Sequence, residues 1–313
     1  MLLGLDSNLK RFIFIAYIAL WTNHVILSHL AMTSAHSKSS LVLLTDCLKL
    51  CLTLISYSVE SPEGLRGLMV DIQHHRVLFI LYLVPSGMYF AYNNLNYLSL
   101  TYFDPATYSV LMQLRIVVTA LLSVFVMRKM IYPVQWFALF IITAGSMVKE
   151  VDLSSLEIGR DSWHYCIILL QLLLSTGAGI CTEKLLKGRI SASTSLHNMF
   201  MYFHGMWLNV ALIAIRDGFN STLTSEVRFI ISNPSLAAVV VNAALTGLVT
   251  GYFLKILGSL LKSIAGALEI PSIAITSFLV FGYPLNASTW LAIALVFSGV
   301  LMYSNSEYSK KLS

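Results

Sequence analysis

Long apolar stretches separated by short polar connections dominate this chain from end to end. Because about 20 largely apolar residues are needed to cross the hydrocarbon core of a bilayer, we interpret these stretches as membrane spans. The pattern predicts ten spans, at residues 12–30, 40–58, 77–98, 105–127, 133–148, 164–184, 196–215, 236–256, 260–281 and 287–304. The eighth and ninth spans nearly touch, so we expect a tight hairpin at residues 257–259.

A longer connection at residues 149–163, which carries four acidic residues, divides the ten spans into five and five. Two sets of five spans must enter the membrane in opposite orientations, as in transporters built from inverted repeats. The pattern therefore predicts an all-α membrane protein with two inverted five-helix repeats, residues 1–150 and 151–313, which together form one membrane domain. The composition agrees, because 57% of the residues are hydrophobic and 11% are charged, against about 25% charged in soluble domains.

The distribution of basic residues predicts the orientation, because cytosolic connections are enriched in Lys and Arg. Thirteen fall on the side of the N-terminus, namely Lys10, Arg11, Arg66, Arg76, Arg128, Lys129, Lys184, Lys187, Arg189, Lys255, Lys262, Lys310 and Lys311. Five fall on the other side, namely Lys38, Lys149, Arg160, Arg216 and Arg228. Both termini are therefore expected in the cytosol, and the sequons at Asn220 and Asn286 are expected on the opposite side.

The first apolar run follows Lys10 and Arg11, as a signal peptide would. It is longer than the apolar core of a signal peptide, about 7–15 residues, and it has no small-x-small cleavage site, so we expect a retained span.

Several functional classes are disfavoured by the sequence. The net charge is +5, but the basic residues are spread between apolar runs, which argues against binding nucleic acid. The four cysteines form no CxxC motif, and there is no HExxH motif or spaced His/Asp cluster. A phosphate-binding GxxxxGK[ST] loop is also absent, which argues against a pump driven by ATP. We expect no enzymatic activity, no catalytic residue, no cofactor and no bound metal.

Charged residues inside the predicted spans are the first candidates for function. Arg115 lies well inside the fourth span, where an arginine costs about 2.5–3.5 kcal/mol on insertion scales. Its side chain is therefore expected to face the protein interior or a watery cavity. Asp46 and Lys49 lie three residues apart on one face of the second span, so they are either a self-neutralising pair or a gate or substrate contact. Lys262 and Glu269 share a face of the ninth span.

Uncharged polar residues complete the candidate set. These are Tyr89, Asn93 and Asn94 in the third span, Tyr108 in the fourth, and Asn198 and Tyr202 in the seventh. Cations bind phosphate strongly, Asn amides can match the edge of a base, and aromatic faces stack on bases for about 1–3 kcal/mol each. The set therefore suits a nucleotide. His24 and His204 are expected to be packing residues, and the GxxxG pair Gly247 and Gly251 is expected to mark a close helix contact.

These residues lie in segments that resemble the nucleotide-sugar transporters of the CMP-sialic acid/UDP-galactose family, within the drug/metabolite transporter superfamily. The resemblance is most specific at residues 92–129, which begin YNNLNYLSLTYFDPATYS, and it continues at 182–187, 196–205, 246–269 and 281–304. It implies a ten-helix antiporter of the Golgi membrane, with the endoplasmic reticulum as the alternative compartment. Such an antiporter imports a nucleotide sugar and returns the nucleoside monophosphate.

The resemblance also implies roles for particular residues. It assigns Tyr89, Asn93, Tyr108, Asn198, Tyr202 and Lys262 to the substrate cavity, together with Arg115, which stands where the sialic-acid branch has lysine. The candidates for gating or support are Asp46, Lys49, Asn94, Lys255 and Glu269. Asp46 replaces a glutamate, and His204 and Gly251 replace serines of that branch, so a UDP-sugar stands beside CMP-sialic acid as a candidate substrate.

Two other functions fit the same architecture. One is a small-metabolite or drug exporter, and the other is a membrane scaffold that transports nothing. The sequence leaves monomer and homodimer open as the oligomeric state. Lys310 and Lys311 stand at the spacing of a dilysine retrieval signal, which keeps the endoplasmic reticulum open as a compartment.

Overall fold

The computed structural model describes residues 3, 5–31, 38–103, 105–150, 162–216, 221–282 and 284–312. Within these residues every regular element is helical, as predicted for the all-α class. A short 3-10 helix, Gly64–Gly67, follows the second α-helix. The α-helices are α1 (Asn8–Ala31), α2 (Lys38–Glu60), α3 (Leu68–His74), α4 (Arg76–Leu81), α5 (Leu83–Tyr102), α6 (Pro105–Met112), α7 (Arg115–Met127), α8 (Pro133–Glu150), α9 (Ser162–Leu186), α10 (Thr194–Arg216), α11 (Ser221–Ser232), α12 (Pro234–Ile256), α13 (Ser259–Phe281) and α14 (Ala287–Leu312).

Eight helices in the described ranges are long and apolar enough to cross a membrane. They coincide with eight of the ten predicted spans. The third predicted span lies in Arg76–Leu95, which is bent by 76° from the preceding Gly64–His74, and this pair would make a ninth span. The fifth lies in Pro133–Val148, an apolar helix shorter than the others. The structure thus supports a multi-span membrane protein, and the count of ten stays a prediction.

Local sequence sets the ends of the helices. Pro234 occupies the first position of α12, where its missing N–H is not needed, and the side-chain oxygen of Asn233 accepts a hydrogen bond from the backbone N–H of Ser235 at 3.0 Å. Gly258 separates α12 from α13 with φ of 91°, a conformation that side chains rarely allow. The structure thus has a helix break at the predicted place, and the tight hairpin itself stays a prediction.

The fourth predicted span is interrupted by a tight turn. The backbone N–H groups of Gln113 and Leu114 donate to the carbonyl oxygens of Val110 and Leu111 at 3.1 and 3.2 Å. These are i to i−3 bonds, so one turn of 3-10 geometry separates α6 from α7. Arg115 is the first residue of α7.

Two compact units divide the chain, and each takes helices from both predicted repeats. The first unit comprises Met1–Ala19, Ala91–Ile180 and Ile256–Ser313. Its most extensive helix contact joins α8 to α14, and glycines make the approach close. A Cβ atom added to Gly145 would lie 2.8 Å from Cβ of Leu295, and one added to Gly299 would lie 2.7 Å from Cγ1 of Ile142. In the same unit α7 packs against α13.

The second unit comprises Leu20–Phe90 and Cys181–Lys255. Its most extensive helix contact joins α2 to α10. A core cluster of buried residues joins α2, α4 and α10, namely Tyr57, Leu78, Tyr82, Leu196, Met199 and Phe200. Asn23 donates a side-chain hydrogen bond to Asn242 at 2.9 Å. This amide pair ties α1 to α12, a use of Asn that is common between membrane helices.

Candidate functional site

In the first unit, the Arg115 side chain lies close to Gly266 of α13. Its Nη2 atom would be 3.3 Å from a Cβ atom added to Gly266, and Oε1 of Glu269 would be 3.9 Å from the same position. Arg115 and Glu269 therefore share one small region, and Glu269 interacts electrostatically with both Arg115 and Lys262. The structure thus brings Arg115 of the fourth predicted span close to Lys262 and Glu269, which the sequence placed on one face of the ninth.

No ion pair closes between Arg115 and Glu269 within the described residues. Oε1 of Glu269 is buried and has no hydrogen-bond partner there either. A cation inside a membrane span is costly when no anion pairs with it, and the half-buried Arg115 guanidinium has no ion pair in the described part of the chain. This arrangement can accept an anionic group.

Tyr108 belongs to a chain of side-chain hydrogen bonds in the same unit. Nε2 of Gln171 donates to the Tyr108 hydroxyl at 2.8 Å, and Oε1 of Gln171 accepts from the Ser99 hydroxyl at 2.8 Å. Gln171 is 0% exposed and was missed in the sequence. Its position inside the sixth predicted span was the available signal, because a polar amide in a span requires a partner.

The two asparagines of α5 differ in burial. The Asn93 side chain is exposed, whereas Asn94 is half-buried. Their suggested roles stay predictions.

The predicted pairing of Asp46 with Lys49 is present in the second unit. Nζ of Lys49 lies 3.1 Å from Oδ1 of Asp46. The other carboxylate oxygen, Oδ2, accepts a hydrogen bond from Nδ2 of Asn209 at 2.9 Å, and Nδ2 also donates to the carbonyl oxygen of Gly205 at 3.0 Å. Asn209 was missed because it lies on a different helix, 163 residues along the chain. Asn209 therefore helps to fix the Asp46 carboxylate, which in turn pairs with Lys49.

Tyr202 connects this pair to the rest of the unit. Nζ of Lys49 lies 5.6 Å from the centre of the Tyr202 ring, within cation–π range. Tyr89 interacts electrostatically with Tyr202. The Tyr202 residue is 5% exposed, and its hydroxyl oxygen is buried without a hydrogen-bond partner in the described residues. A buried hydroxyl without a partner costs about 1–3 kcal/mol, so it is suited to contact a polar ligand.

Asn198 lies one turn before Tyr202 on α10 and is 3% exposed. Its amide occupies the space above Gly251 of α12, since a Cβ atom added there would lie 2.1 Å from Oδ1 of Asn198 and 2.5 Å from its Nδ2. One turn earlier, a Cβ atom added to Gly247 would lie 2.9 Å from Cε of Lys49 and 3.2 Å from the Tyr202 hydroxyl. The GxxxG pair therefore meets polar side chains of α2 and α10, whereas the predicted close contact of helix backbones stays a prediction.

Lys255 lies near the end of α12, apart from the Tyr202 group. Its Nζ donates to the hydroxyl oxygen of Thr194, the first residue of α10, at 2.7 Å. Nearby, the Tyr252 hydroxyl donates to Oε1 of Glu60 at 2.5 Å, and the Ser195 hydroxyl donates to Ser56 at 2.9 Å. These bonds join the ends of α2, α10 and α12. They fit a supporting role for Lys255.

The two histidines are packed against other side chains. Nε2 of His204 lies 2.9 Å from the carbonyl oxygen of Phe79, and His24 makes an edge-to-face contact with Trp21. Across the described ranges, no three His, Cys, Asp or Glu side chains converge as metal ligands.

The candidate residues thus form one group in each unit. The first contains Arg115, Lys262 and Glu269, with Tyr108 hydrogen bonded elsewhere in the unit. The second contains Asp46, Lys49, Asn198 and Tyr202, arranged around the glycines of α12. The group of the first unit offers cations, which suit phosphate, and that of the second offers an amide, a lysine and an aromatic ring, which suit a nucleoside.

Comparisons with known proteins agree with this chemistry. The family model described as nucleotide-sugar transporter matches residues 5–304. The UDP-galactose transporter senju of Drosophila melanogaster is 32% identical, over 96% of this chain and 87% of the fly protein. The UDP-N-acetylglucosamine transporter of Canis lupus familiaris is 30% identical, over 85% of this chain and 84% of its own length. CMP-sialic acid transporter 2 of Oryza sativa subsp. indica is 26% identical, over 72% of this chain and 63% of the rice protein.

A solved crystal structure has a similar fold. It superimposes with a TM-score of 0.70 and covers 98% of this chain and 100% of its own, at 14% sequence identity. At that identity the similarity concerns the fold alone.

Proposed function

Because the chain belongs to the nucleotide-sugar transporter family, we propose that it is an antiporter of the Golgi membrane. It exchanges a cytosolic pyrimidine nucleotide sugar, either a UDP-sugar or CMP-sialic acid, for a luminal nucleoside monophosphate. Its relatives are named for both kinds of cargo. The observation that carries this proposal is Arg115, a cation inside the apolar span Thr107–Met127 without an ion pair in the described residues.

In this function Arg115 and Lys262 bind the phosphates of the cargo. Hydrogen bonds between charged groups are about twice as strong as neutral ones. The planar guanidinium of Arg115 can also hold two phosphate oxygens at once. Glu269 lies near both cations, but it forms no ion pair with Arg115 in the described part of the chain, so it only partly offsets the charge when phosphate has left. Because a membrane-buried cation is costly when nothing neutralises it, the empty protein reorients poorly, which links import to the return of a second nucleotide.

The nucleoside part of the cargo is bound by amides and tyrosines. The amides of Asn93 and Asn198 hydrogen bond to the polar edge of the base. Faces for stacking on the base, or hydroxyls for hydrogen bonds, come from Tyr89, Tyr108 and Tyr202. Asp46, Lys49, Asn94 and Lys255 support or gate these groups. The buried Tyr202 hydroxyl, which lacks a partner in the described part of the chain, favours this assignment because a ligand hydroxyl would satisfy it.

The proposed architecture is ten spans in two inverted repeats, with both termini in the cytosol. The helix pairs with the most extensive contacts support it, because α2 with α10, α7 with α13 and α8 with α14 each join predicted spans five apart. Elements close to a two-fold axis contact their own equivalents. Alternating access then exposes a site between the repeats to each side in turn.

We expect Arg115→Gln to abolish nucleotide exchange in proteoliposomes, because glutamine fills a similar volume but carries no charge for phosphate. Exchange is measured as uptake of labelled UDP-galactose or CMP-sialic acid into vesicles preloaded with UMP or CMP. Arg66→Gln is the matched control, since Arg66 is exposed on the short 3-10 helix outside the long apolar helices.

Binding of labelled UMP and CMP to purified protein separates an antiporter from a drug exporter of the same fold. The antiporter binds at least one of them, and unlabelled nucleotide competes. Near-normal exchange by Arg115→Gln would remove the role of this residue. Lack of nucleotide binding by the unaltered protein would refute the proposed function.

A further inference from the structure

Gly247 and Gly251 of α12 lie next to three polar side chains of the second unit, those of Lys49, Asn198 and Tyr202. The three heavy atoms nearest to a Cβ atom placed at Gly251 all belong to Asn198, at 2.1, 2.5 and 2.6 Å. Carbon atoms in favourable contact lie about 3.5–4.0 Å from their neighbours. A side chain at position 251 and the present position of Asn198 are therefore incompatible.

The position of the Asn198 side chain depends on the atoms packed around it. It is 3% exposed, and no hydrogen bond from its amide to another described residue is present. The absence of a Cβ atom at position 251 is therefore a condition for where the amide lies. The Asn198 side chain extends from α10, and the backbone at position 251 of α12 sets how far its amide can extend.

A second observation points to a ligand at the same place. The Tyr202 hydroxyl, which is buried and unpartnered among the described residues, would lie 3.2 Å from a Cβ atom at Gly247. Gly247 and Gly251 are four residues apart and so lie on one face of α12. The face of α12 that carries Gly247 and Gly251 thus lies beside the Asn198 amide and a Tyr202 hydroxyl that has no hydrogen-bond partner in the described residues, and buried polar groups need polar partners.

We propose that Gly251 is a positioning residue for Asn198, and that its missing side chain sets where the Asn198 amide meets the nucleoside part of the cargo. This inference rests on the proposed function. The GxxxG pair then acts mainly by making room for substrate-binding side chains on α10 and α2, and not by bringing two helix backbones together.

The inference makes a specific expectation for Gly251→Ala. The added methyl must move the amide by more than about 1 Å to reach normal contact distance. A misplacement of about 1 Å can cost about a hundredfold in a process that depends on geometry. Because the displaced atoms are the end of a side chain and not backbone, the variant is expected to fold.

A double-mutant cycle tests whether position 251 acts through Asn198. Purified wild-type protein, Gly251→Ala, Asn198→Ala and the double variant are compared for binding of labelled UMP and CMP and for exchange in proteoliposomes. We expect Gly251→Ala to weaken binding at least about tenfold. In the Asn198→Ala background the same change is expected to have no further effect, because the clashing atoms are gone.

Variants at two other glycines serve as controls for the double-mutant cycle. Gly247→Ala displaces Lys49 and Tyr202 instead, so its effect is expected to persist in the Asn198→Ala background. Gly87→Ala is the neutral control, because a Cβ atom there meets nothing within 4 Å. Thermal unfolding is recorded for every variant, and the double variant is expected to be at least as stable as Gly251→Ala.

Each outcome of these experiments either supports or overturns the inference. Wild-type binding by Gly251→Ala, or effects of the two changes that multiply, would overturn it while the proposed function stands. If Gly251→Ala fails to fold, recovery of folded protein in the double variant supports the inference and lack of recovery overturns it. If wild-type protein binds neither UMP nor CMP, both the proposed function and the inference fail.

Discussion

Asp46, Lys49 and Asn209 show how single residues keep charge inside an apolar helix bundle. Both carboxylate oxygens of Asp46 are used, one by Lys49 at 3.1 Å and one by Asn209 at 2.9 Å. The lysine side chain is 21% exposed and the aspartate side chain 12%. Removing one member of such a pair leaves the other as an uncompensated charge, which is more costly than never having had the pair.

We therefore expect Asp46→Asn to destabilise the protein by about 3 kcal/mol, the scale found when a buried ion pair loses one partner. Thermal unfolding of purified protein in detergent measures the loss. The double variant Asp46→Asn, Lys49→Met removes both charges and is expected to recover most of the stability. Equal stability of wild type and Asp46→Asn would show that the ion pair contributes little.

The sequence revealed the contacts that depend on spacing along one helix. Asp46 and Lys49 are three residues apart, so their pairing follows from helix geometry alone. Asn209 and Gly251 could not be assigned partners in the same way. Their contacts join different helices, and which faces meet depends on packing that no local pattern encodes.

Among the elements, α8 and α14 form the tightest helix pair of the first unit. Their approach depends on Gly145 and Gly299, because a Cβ atom at Gly299 would lie 3.0 Å from the carbonyl oxygen of Ala138. That neighbour is backbone and cannot rotate away. Small residues at such contacts drive helix association in membranes, where lipid competes equally for apolar side chains.

Gly299→Ala is accordingly expected to destabilise the protein by about 1–3 kcal/mol, the usual cost of overpacking. The thermal unfolding midpoint reports the change, with Gly87→Ala as the control for inserting a methyl group where space is open. A midpoint equal to that of wild type would mean that α8 and α14 separate without cost.

Elements were predictable where length and hydrophobicity decide the outcome. Eight predicted spans match helices that can cross a membrane. The 3-10 turn at residues 113–114 was not predictable, because no Gly or Pro marks it and Gln113 and Leu114 both suit a helix. Helix α11 was also missed, since a 12-residue helix between two spans gives a weaker signal than a span.

For the whole molecule, the main regularity is that helices contact their equivalents from the other predicted repeat. The pairs α2 with α10, α7 with α13 and α8 with α14 all follow this rule. Such contacts follow from two halves of opposite orientation, which the five-plus-five pattern and the charge bias both predict. The proposed even number of spans would also place both termini on the same side of the membrane.

We expect epitope tags at the N- and C-termini to be accessible to antibodies in cells whose plasma membrane alone has been permeabilised. The excess of Lys and Arg in the connections on that side is the physical reason. A tag inserted at residue 62, in the predicted cytosolic connection after α2, is expected to behave in the same way. A luminal tag in the connection at residues 149–163 serves as control and is expected to require full permeabilisation. Accessibility in the reverse order would contradict the predicted orientation.

The closeness of Gly251 to Asn198 has a consequence for inheritance. Every glycine codon becomes an alanine codon by exchange of its second base, so one point mutation adds the methyl group that the Asn198 amide cannot accommodate. Under the proposal for Gly251, one base exchange at this codon changes how the cargo is bound by moving the Asn198 amide. Position 251 then affects binding although glycine has no functional group of its own.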